Sequence, residues 1–176
     1  AEYMKGTKLL IVDPESEYKD LCLNLGGDWI NAGGGKGGML NPLQIRPSPR
    51  DTEGESYILY QDEGYGLSHM ALHIKNLEIF FSLYLPSLDD MKKAILKEAI
   101  IELYNQFDID WDTDVLQLHD EDFPVFSDLH ALIEKKAEEQ REQYAYRELG
   151  LLLNDIANGS DSFLWNGHTA LDPSSR

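Results

Sequence analysis

The 176 residues suffice for one domain with a real core, or for a domain carrying an inserted subdomain, and a hydrophobic content of 42% is ordinary for a folded chain. Thirty-two acidic against fifteen basic residues leave a net charge of -17, which argues against non-specific duplex binding, since that depends on neutralising phosphates with Lys and Arg. The single cysteine, Cys22, cannot close an internal disulfide, and there is no apolar run of about 18 residues and no charged-then-apolar leader, so a reducing, cytoplasmic setting without a membrane span is expected.

In chain order, Leu9-Leu10-Ile11-Val12 is a short aliphatic run that stops at Asp13-Pro14, and it reads as a strand buried on both faces. Pro14 has no N–H to lose and suits the first turn of a helix, while Asp13 before it is pushed towards extended backbone and can cap that helix. Tyr18, Leu21, Cys22 and Leu25 recur at helical spacing from Glu15 to Leu25, predicting a helix that packs one face on a sheet and ends at Gly26-Gly27. Asp28-Trp29-Ile30 reads as a short strand, and Arg46 to Glu55, with its prolines and charges, as a linker or exposed loop. Tyr57-Ile58-Leu59-Tyr60 is either a short edge strand or extended chain.

From Gly66 the pattern turns helical. Leu67, Met70, Ala71, Ile74, Leu77, Phe80, Phe81 and Tyr84 recur at three and four, and Pro86 stops the run. Ser87, with Asp90 three residues on, is the predicted cap of a second helix whose buried stripe is Met91, Ala94, Ile95, Ala99, Leu103 and Phe107. Asp108 to Glu121 is an acidic loop. A third helix starts near Ser127 with Leu129, Leu132, Ile133 and Ala137 inward, and a fourth runs from about Gln143 to Ala157 with Leu149, Leu152, Leu153 and Ile156 inward. Phe163-Leu164-Trp165 reads as a short strand before an Asn-Gly turn, and Asp172 to Arg176 as the approach to another strand.

Open α/β sheets bind ligands outside the carboxyl ends of their strands, which is where Asp13, Glu15 and Glu17 fall. Two carboxylates two residues apart at a helix start can contact magnesium, a water or a basic group, or can simply cap the helix and be solvated. Gly33 to Gly38 around Lys36 imitates a phosphate-cradling loop, but G-x-x-x-x-G-K-[ST] would need Gly where Ile30 stands and a hydroxyl where Gly37 stands, so a turn is the better reading. His69 and His73 have a zinc-compatible spacing, yet Met70 occupies the zincin glutamate position and no third ligand is evident; helix-packing or surface histidines are expected. Asp110, Asp112, Asp114 and Glu121 imitate a calcium loop that lacks its glycine, replaced by Val115, so a solvated turn is expected and no metal site is assigned. Trp29, Trp111 and Trp165 stand apart from basic residues and do not form a base-stacking platform.

The stretch Asp13-Pro14-Glu15-Ser16-Glu17-Tyr18 after an aliphatic run, then Gly26-Gly27, Asn41-Pro42, Leu77 to Ser82, Leu103-Tyr104, Asp122-Phe123-Pro124, Ser127-Asp128-Leu129 and Leu164-Trp165-Asn166-Gly167-His168-Thr169, resembles the conjugation ATPases of type IV secretion systems, the VirB-four class (TraC- and TraE-like). The resemblance covers nearly the whole chain and implies an α/β fold: part of a RecA-like P-loop ATPase sheet with a large, mostly α-helical insertion. It places residues 1–52 and 160–176 in the α/β portion and 53–159 in the insertion. It implies ATP and magnesium as cofactors of the intact parent, with Asp13, Glu15, Glu17 and Tyr18 beside the nucleotide pocket. The phosphate loop and the Asp-Glu strand that hydrolysis needs are absent from these residues and are expected before Ala1 and after Arg176, so no catalytic residue lies within the chain and none of the cofactors is expected to bind it alone. Other subunits of the same ATPase and secretion-channel proteins are the implied partners, at the inner face of the cell membrane. Two alternatives stand beside this reading: a non-enzymatic helical interaction module, and part of a HerA- or FtsK-type DNA translocase, against which the run from Phe80 to Thr169 speaks.

Overall fold

The computed structural model describes residues 11–27, 29, 31, 38–46, 69–140 and 144–170. The chain divides into two units, Ala1–Asn31 and Ala32–Arg176, taken in turn.

In the first unit the helix predicted from Glu15 is short, α1 (Lys19–Asn24). Two features delay its start. Ser16 has φ of +59°, a left-handed conformation that interrupts any right-handed helix, and both Asp13 carboxylate oxygens are engaged in holding the turn (below). The predicted end is found: Gly26, at φ +74°, donates its N–H to the Leu23 carbonyl at 3.1 Å, and Gly27 donates to the Cys22 carbonyl at 2.9 Å. This pair of bonds satisfies the last carbonyls of α1 and needs a left-handed residue at the first position, which glycine adopts without penalty.

The strand over Leu9 to Val12 is not found where it can be seen. Leu9 and Leu10 lie outside the described residues, while Ile11 and Val12 are in no regular structure and are 51% and 86% exposed. A strand needs a neighbour's backbone to complete its ladder, and no strand occurs among the described residues. Tyr18, Leu21 and Leu25, on the face of the helix expected to pack on a sheet, are likewise exposed. Lys19 Nζ lies 4.2 Å from the centroid of the Trp29 ring, a cation–π contact within this unit. Of the predicted strand Asp28 to Ile30 only Trp29 is described, in no regular structure, while the strand or extended chain at Tyr57 to Tyr60, most of the glycine run from Gly33 and the segment from Asp172 fall outside the described residues.

The second unit is helical. Its elements are α2 (His69–Tyr84), α3 (Asp90–Gln106), α4 (Phe126–Glu139), α5 (Tyr144–Asn158) and the single turn α6 (Ser162–Trp165), with 3₁₀ turns at Val115–Gln117 and Asp120–Asp122. Met70, Ile74, Leu77 and Phe81 of α2 are buried, at the predicted spacing. α3 starts two residues later than Ser87 predicts. Pro86 and Ser87 lie in a turn closed by Leu88 N–H to the Leu85 carbonyl at 3.1 Å, and the cap is Asp89, whose Oδ1 accepts the Lys92 N–H at 2.8 Å. The buried surface of α3 is also wider than one stripe. Two adjacent rows spaced by four, Ile95-Ala99-Leu103 and Leu96-Ile100-Tyr104, are both covered because α3 meets α2 as well as α4 and α5. Met91, Ala94 and Phe107, assigned inward from the sequence, are exposed, the first and last of them at the ends of the helix.

α4 and α5 pack on each other through Leu129, Leu132 and Ile133 against Leu149, Leu153 and Ile156, all buried. Lys136 crosses from α4 to Glu102 of α3 and lies 6.0 Å from the Tyr146 ring of α5, tying three helices at their margin. Phe163 to Trp165 is helical, not extended. The turn is wound by Leu164 N–H to the Asp161 carbonyl at 3.0 Å and by Ser162 Oγ to the Gly159 carbonyl at 2.7 Å, so local bonds after α5 override the β-prone letters. It is held by Tyr84 Oη, which donates to Asp161 at 2.8 Å, and by Trp165 packing edge-on to Phe80 at 5.7 Å.

Candidate functional site

The acidic turn of the first unit is built by its own aspartate. Asp13 Oδ1 accepts the Glu17 N–H at 3.2 Å and Oδ2 accepts the Tyr18 N–H at 2.8 Å. With Pro14 fixing one φ and Ser16 taking the left-handed one, the turn is held from both sides. Asp13 therefore gives one acceptor site on each oxygen to backbone, whereas Glu15, Glu17 and Tyr18 are exposed. Of the four residues assigned to the nucleotide pocket, one shapes the turn and three are presented by it.

The second unit brings five of the separated sequence motifs to one place. Asn41, buried, is the centre. Its backbone N–H donates to Thr169 Oγ1 at 3.0 Å, its Nδ2 donates to the Pro124 carbonyl at 2.9 Å and its Oδ1 accepts the Leu43 N–H at 3.0 Å. Asn166 does the same for helix ends: Oδ1 accepts the Ser127 N–H at 2.8 Å in the first turn of α4, and Nδ2 donates to the Ala157 carbonyl at 2.8 Å in the last turn of α5. Both are orphan backbone groups that a helix end leaves unpaired. Asp128 Oδ2 reaches back to the Val125 N–H at 2.8 Å and completes the cap of α4. Around them, Tyr104 Oη donates to the Leu43 carbonyl at 2.6 Å and His168 Nδ1 lies 3.0 Å from the Asp120 carbonyl. The incoming segment at Met39 to Asn41 runs beside the outgoing one: Leu40 N–H donates to the Leu164 carbonyl at 3.3 Å and Ala170 N–H to the Met39 carbonyl at 3.1 Å. Gly167 lies where any side chain would press on Met39, its would-be Cβ 3.2 Å from that side chain.

His73 sits at the edge of this hub. It is bonded to the Pro42 backbone and meets the Tyr104 ring edge-on at 6.2 Å, while its Nε2 is buried without a partner. Burial pushes its pKa down from 6.5 to about 4, outweighing the Pro42 bond, so the ring is neutral. It is a packing histidine. Among the described residues, no three His, Cys, Asp or Glu side chains converge on a point that could hold a metal. Two carboxylates of the acidic loop bond within it: Asp110 Oδ1 accepts the Asp112 N–H at 3.0 Å and the Thr113 hydroxyl at 2.9 Å, and Asp114 Oδ1 accepts the Leu116 N–H at 3.1 Å. The hydrogen bond from Thr113, ahead of that from Asp112, holds the Asp110 pKa below the usual carboxylate range.

Over 97% of its length the chain is similar to a solved structure, VirB4 of Thermoanaerobacter pseudethanolicus, with 43% identical residues and a TM-score of 0.82. The chain belongs to the VirB4 class. It spans 41% of the length of that VirB4 chain. No protein-family model matches it, and no curated protein does. No helix among its described residues is long and apolar enough to cross a membrane.

Within this VirB4-class chain, the hub joins motifs more than a hundred residues apart: Asn41 and Thr169 are bonded across 128 positions. Sequence reading missed Tyr104 as a polar anchor, because it falls beside the predicted buried stripe of its helix and not in it. It also missed His73 as the buried partner of the Asn41-Pro42 segment. The only available signal was that both share helix faces with buried aliphatics.

Proposed function

We propose that this VirB4-class chain is a segment of a type IV secretion ATPase that powers DNA or protein transfer or channel assembly, with ATP and magnesium held largely by parts of the protein outside these 176 residues. The observation that carries the reading is the similarity to VirB4 over 97% of the chain at 43% identity. On this reading the turn from Asp13 to Tyr18 closes a partial RecA-like sheet beside the nucleotide. Residues 53–159 form a helical insertion, with 1–52 and 160–176 in the α/β portion. The intact protein works on the cytoplasmic side, against copies of itself and secretion-channel proteins.

The chain's own residues do not make an ATP–magnesium site. The sequence holds no G-x-x-x-x-G-K-[ST] loop. No hydrolytic step is assigned to it. Asp13 acts as a positioning residue, and Glu15, Glu17 and Tyr18 are the groups left to face a nucleotide, its metal or a basic residue. The purified 176-residue chain is expected to be folded and helical with no ATP turnover and little nucleotide-dependent rise in Tm, because the phosphate ligands are missing. In a VirB4-class chain spanning the full length of the solved one and carrying this segment, Asp13→Ala should lower ATP turnover with the fold intact. Unchanged kcat/KM for ATP in that variant would remove the turn from the pocket.

A further inference from the structure

The sequence holds two Asn-Gly pairs, Asn158-Gly159 and Asn166-Gly167, and the fold treats them in opposite ways. In such a pair the backbone nitrogen of the glycine, with no Cβ to shield it, attacks the side-chain Cγ of the asparagine. The N–Cγ bond forms as the Cγ–Nδ2 bond breaks, and the glycine N–H proton leaves with the side-chain nitrogen as ammonia. Water then opens the five-membered imide at either carbonyl, which leaves aspartate or isoaspartate.

By backbone alone the second pair is the better placed, because Asn166, at φ -96° and ψ 81°, lies outside any helix. Its side chain reverses the order. For the Asn166 Cγ to swing onto the Gly167 nitrogen, Oδ1 must leave the Ser127 N–H and Nδ2 the Ala157 carbonyl, both at 2.8 Å, and both are helix-end groups with no other intrahelical partner. Ala157 is buried, so its carbonyl would be stranded. Asn158, by contrast, is exposed at the last position of α5, and its Nδ2 donates to Asn154 Oδ1 at 3.2 Å on the solvent side. Its reaction must unwind the Gly159 N–H from the Asp155 and Asn154 carbonyls at 2.9 and 3.1 Å, but this is the last rung of a helix, and helix ends open at small cost.

We propose that Asn158 is a site of spontaneous isoaspartate formation in the folded chain, and that Asn166 is modified only when the hub opens. The product at position 158 sets a carboxylate at the negative end of the α5 dipole, three residues after Asp155. Isoaspartate also adds a methylene to the backbone one residue beyond the carbonyl that Asn166 holds. Exposed there, it is the kind of residue that a carboxyl-methylating repair enzyme takes as substrate. The inference stands on these hydrogen bonds and is independent of nucleotide turnover.

Ageing the folded 176-residue chain in mildly alkaline buffer tests it. Cleavage after Arg147 leaves both pairs on one tryptic peptide, 148–176, whose fragment masses locate each amide-to-acid change. Asn158 should convert roughly tenfold faster than Asn166 or more, while in denaturing urea the two rates should come within about threefold of each other. Asn158→Gln, longer by a methylene at an exposed position, should remove the early product. Asn41→Ala, which loosens the hub without touching either pair, should speed conversion of Asn166 roughly fivefold or more and leave Asn158 within about twofold. A folded chain in which Asn158 converts no faster than Asn166, a difference that persists in urea, an early product that survives Asn158→Gln, or an Asn166 indifferent to Asn41→Ala would each overturn the proposal.

Discussion

Removing the Asn41 side chain separates the hub from the rest of the core. In Asn41→Ala the backbone bond to Thr169 survives, but the Pro124 carbonyl loses its 2.9 Å donor and the Leu43 N–H its 3.0 Å acceptor. Asn41 is 5% exposed, so neither group regains water easily. A buried polar group stranded in this way costs about 1–3 kcal/mol. Two of them place the loss near 3 kcal/mol, a large share of the roughly 5–15 kcal/mol that holds a domain folded. For a domain of this size the matching fall in Tm is about 6–12 °C. Urea unfolding followed by far-UV circular dichroism, with m unchanged, reads the effect directly. Asn41→Asp is the informative companion: it keeps the acceptor for Leu43 but sets a carboxylate against the Pro124 carbonyl, and should be no more stable than the alanine variant. A loss below about 0.5 kcal/mol for Asn41→Ala, the size of an ordinary surface change, would refute the hub as the organiser of the second unit.

Tyr104→Phe removes only the hydroxyl that donates to the Leu43 carbonyl at 2.6 Å and should lower stability by about 1–2 kcal/mol in the same urea assay. His73 predicts a pH dependence. Its folded pKa of about 4 lies below the unfolded 6.5, so the unfolded chain takes the proton first; its contribution is complete above pH 6.5, declines as pH falls to about 4 and is flat below. At about 1.4 kcal/mol per pH unit the decline amounts to about 3 kcal/mol, and the stability difference between wild type and His73→Leu should vary with pH over that window and nowhere else. Gly26→Ala meets no neighbour within 4 Å, so its cost is the left-handed φ of +74° alone, about 1–2 kcal/mol, seen as faster hydrogen exchange at the Gly27 amide.

The helices of the second unit were legible because their apolar residues recur at three and four. α2 and α5 end, and α4 begins, within a few residues of their periodicity, and the Gly26-Gly27 stop is written in the letters themselves. Capping was harder to read. Ser87 and Asp89 are both good cap residues two apart, and the choice rests on Pro86-Ser87 closing a turn with Leu85, which no spacing reveals. The width of the buried arc on α3 depends on how many helices surround it. Phe163 to Trp165 misleads because β-prone side chains were outvoted by bonds to Gly159 and Asp161. The acidic turn was found, but not that Asp13 would bond the Glu17 and Tyr18 N–H groups; that follows from the left-handed Ser16, a conformation serine seldom takes. The hub was visible only as separate words, since hydrogen bonds across 128 positions leave no local pattern.

Met39 to Asn41 and Leu164 to Ala170 are stitched together, so everything between them departs and returns through one narrow doorway. On the proposed reading of residues 53–159 as an insertion, the host fold holds it at almost a single point, and the helices inside can lengthen, drift in sequence or acquire new surfaces while Asn41 and Asn166 keep the doorway shut.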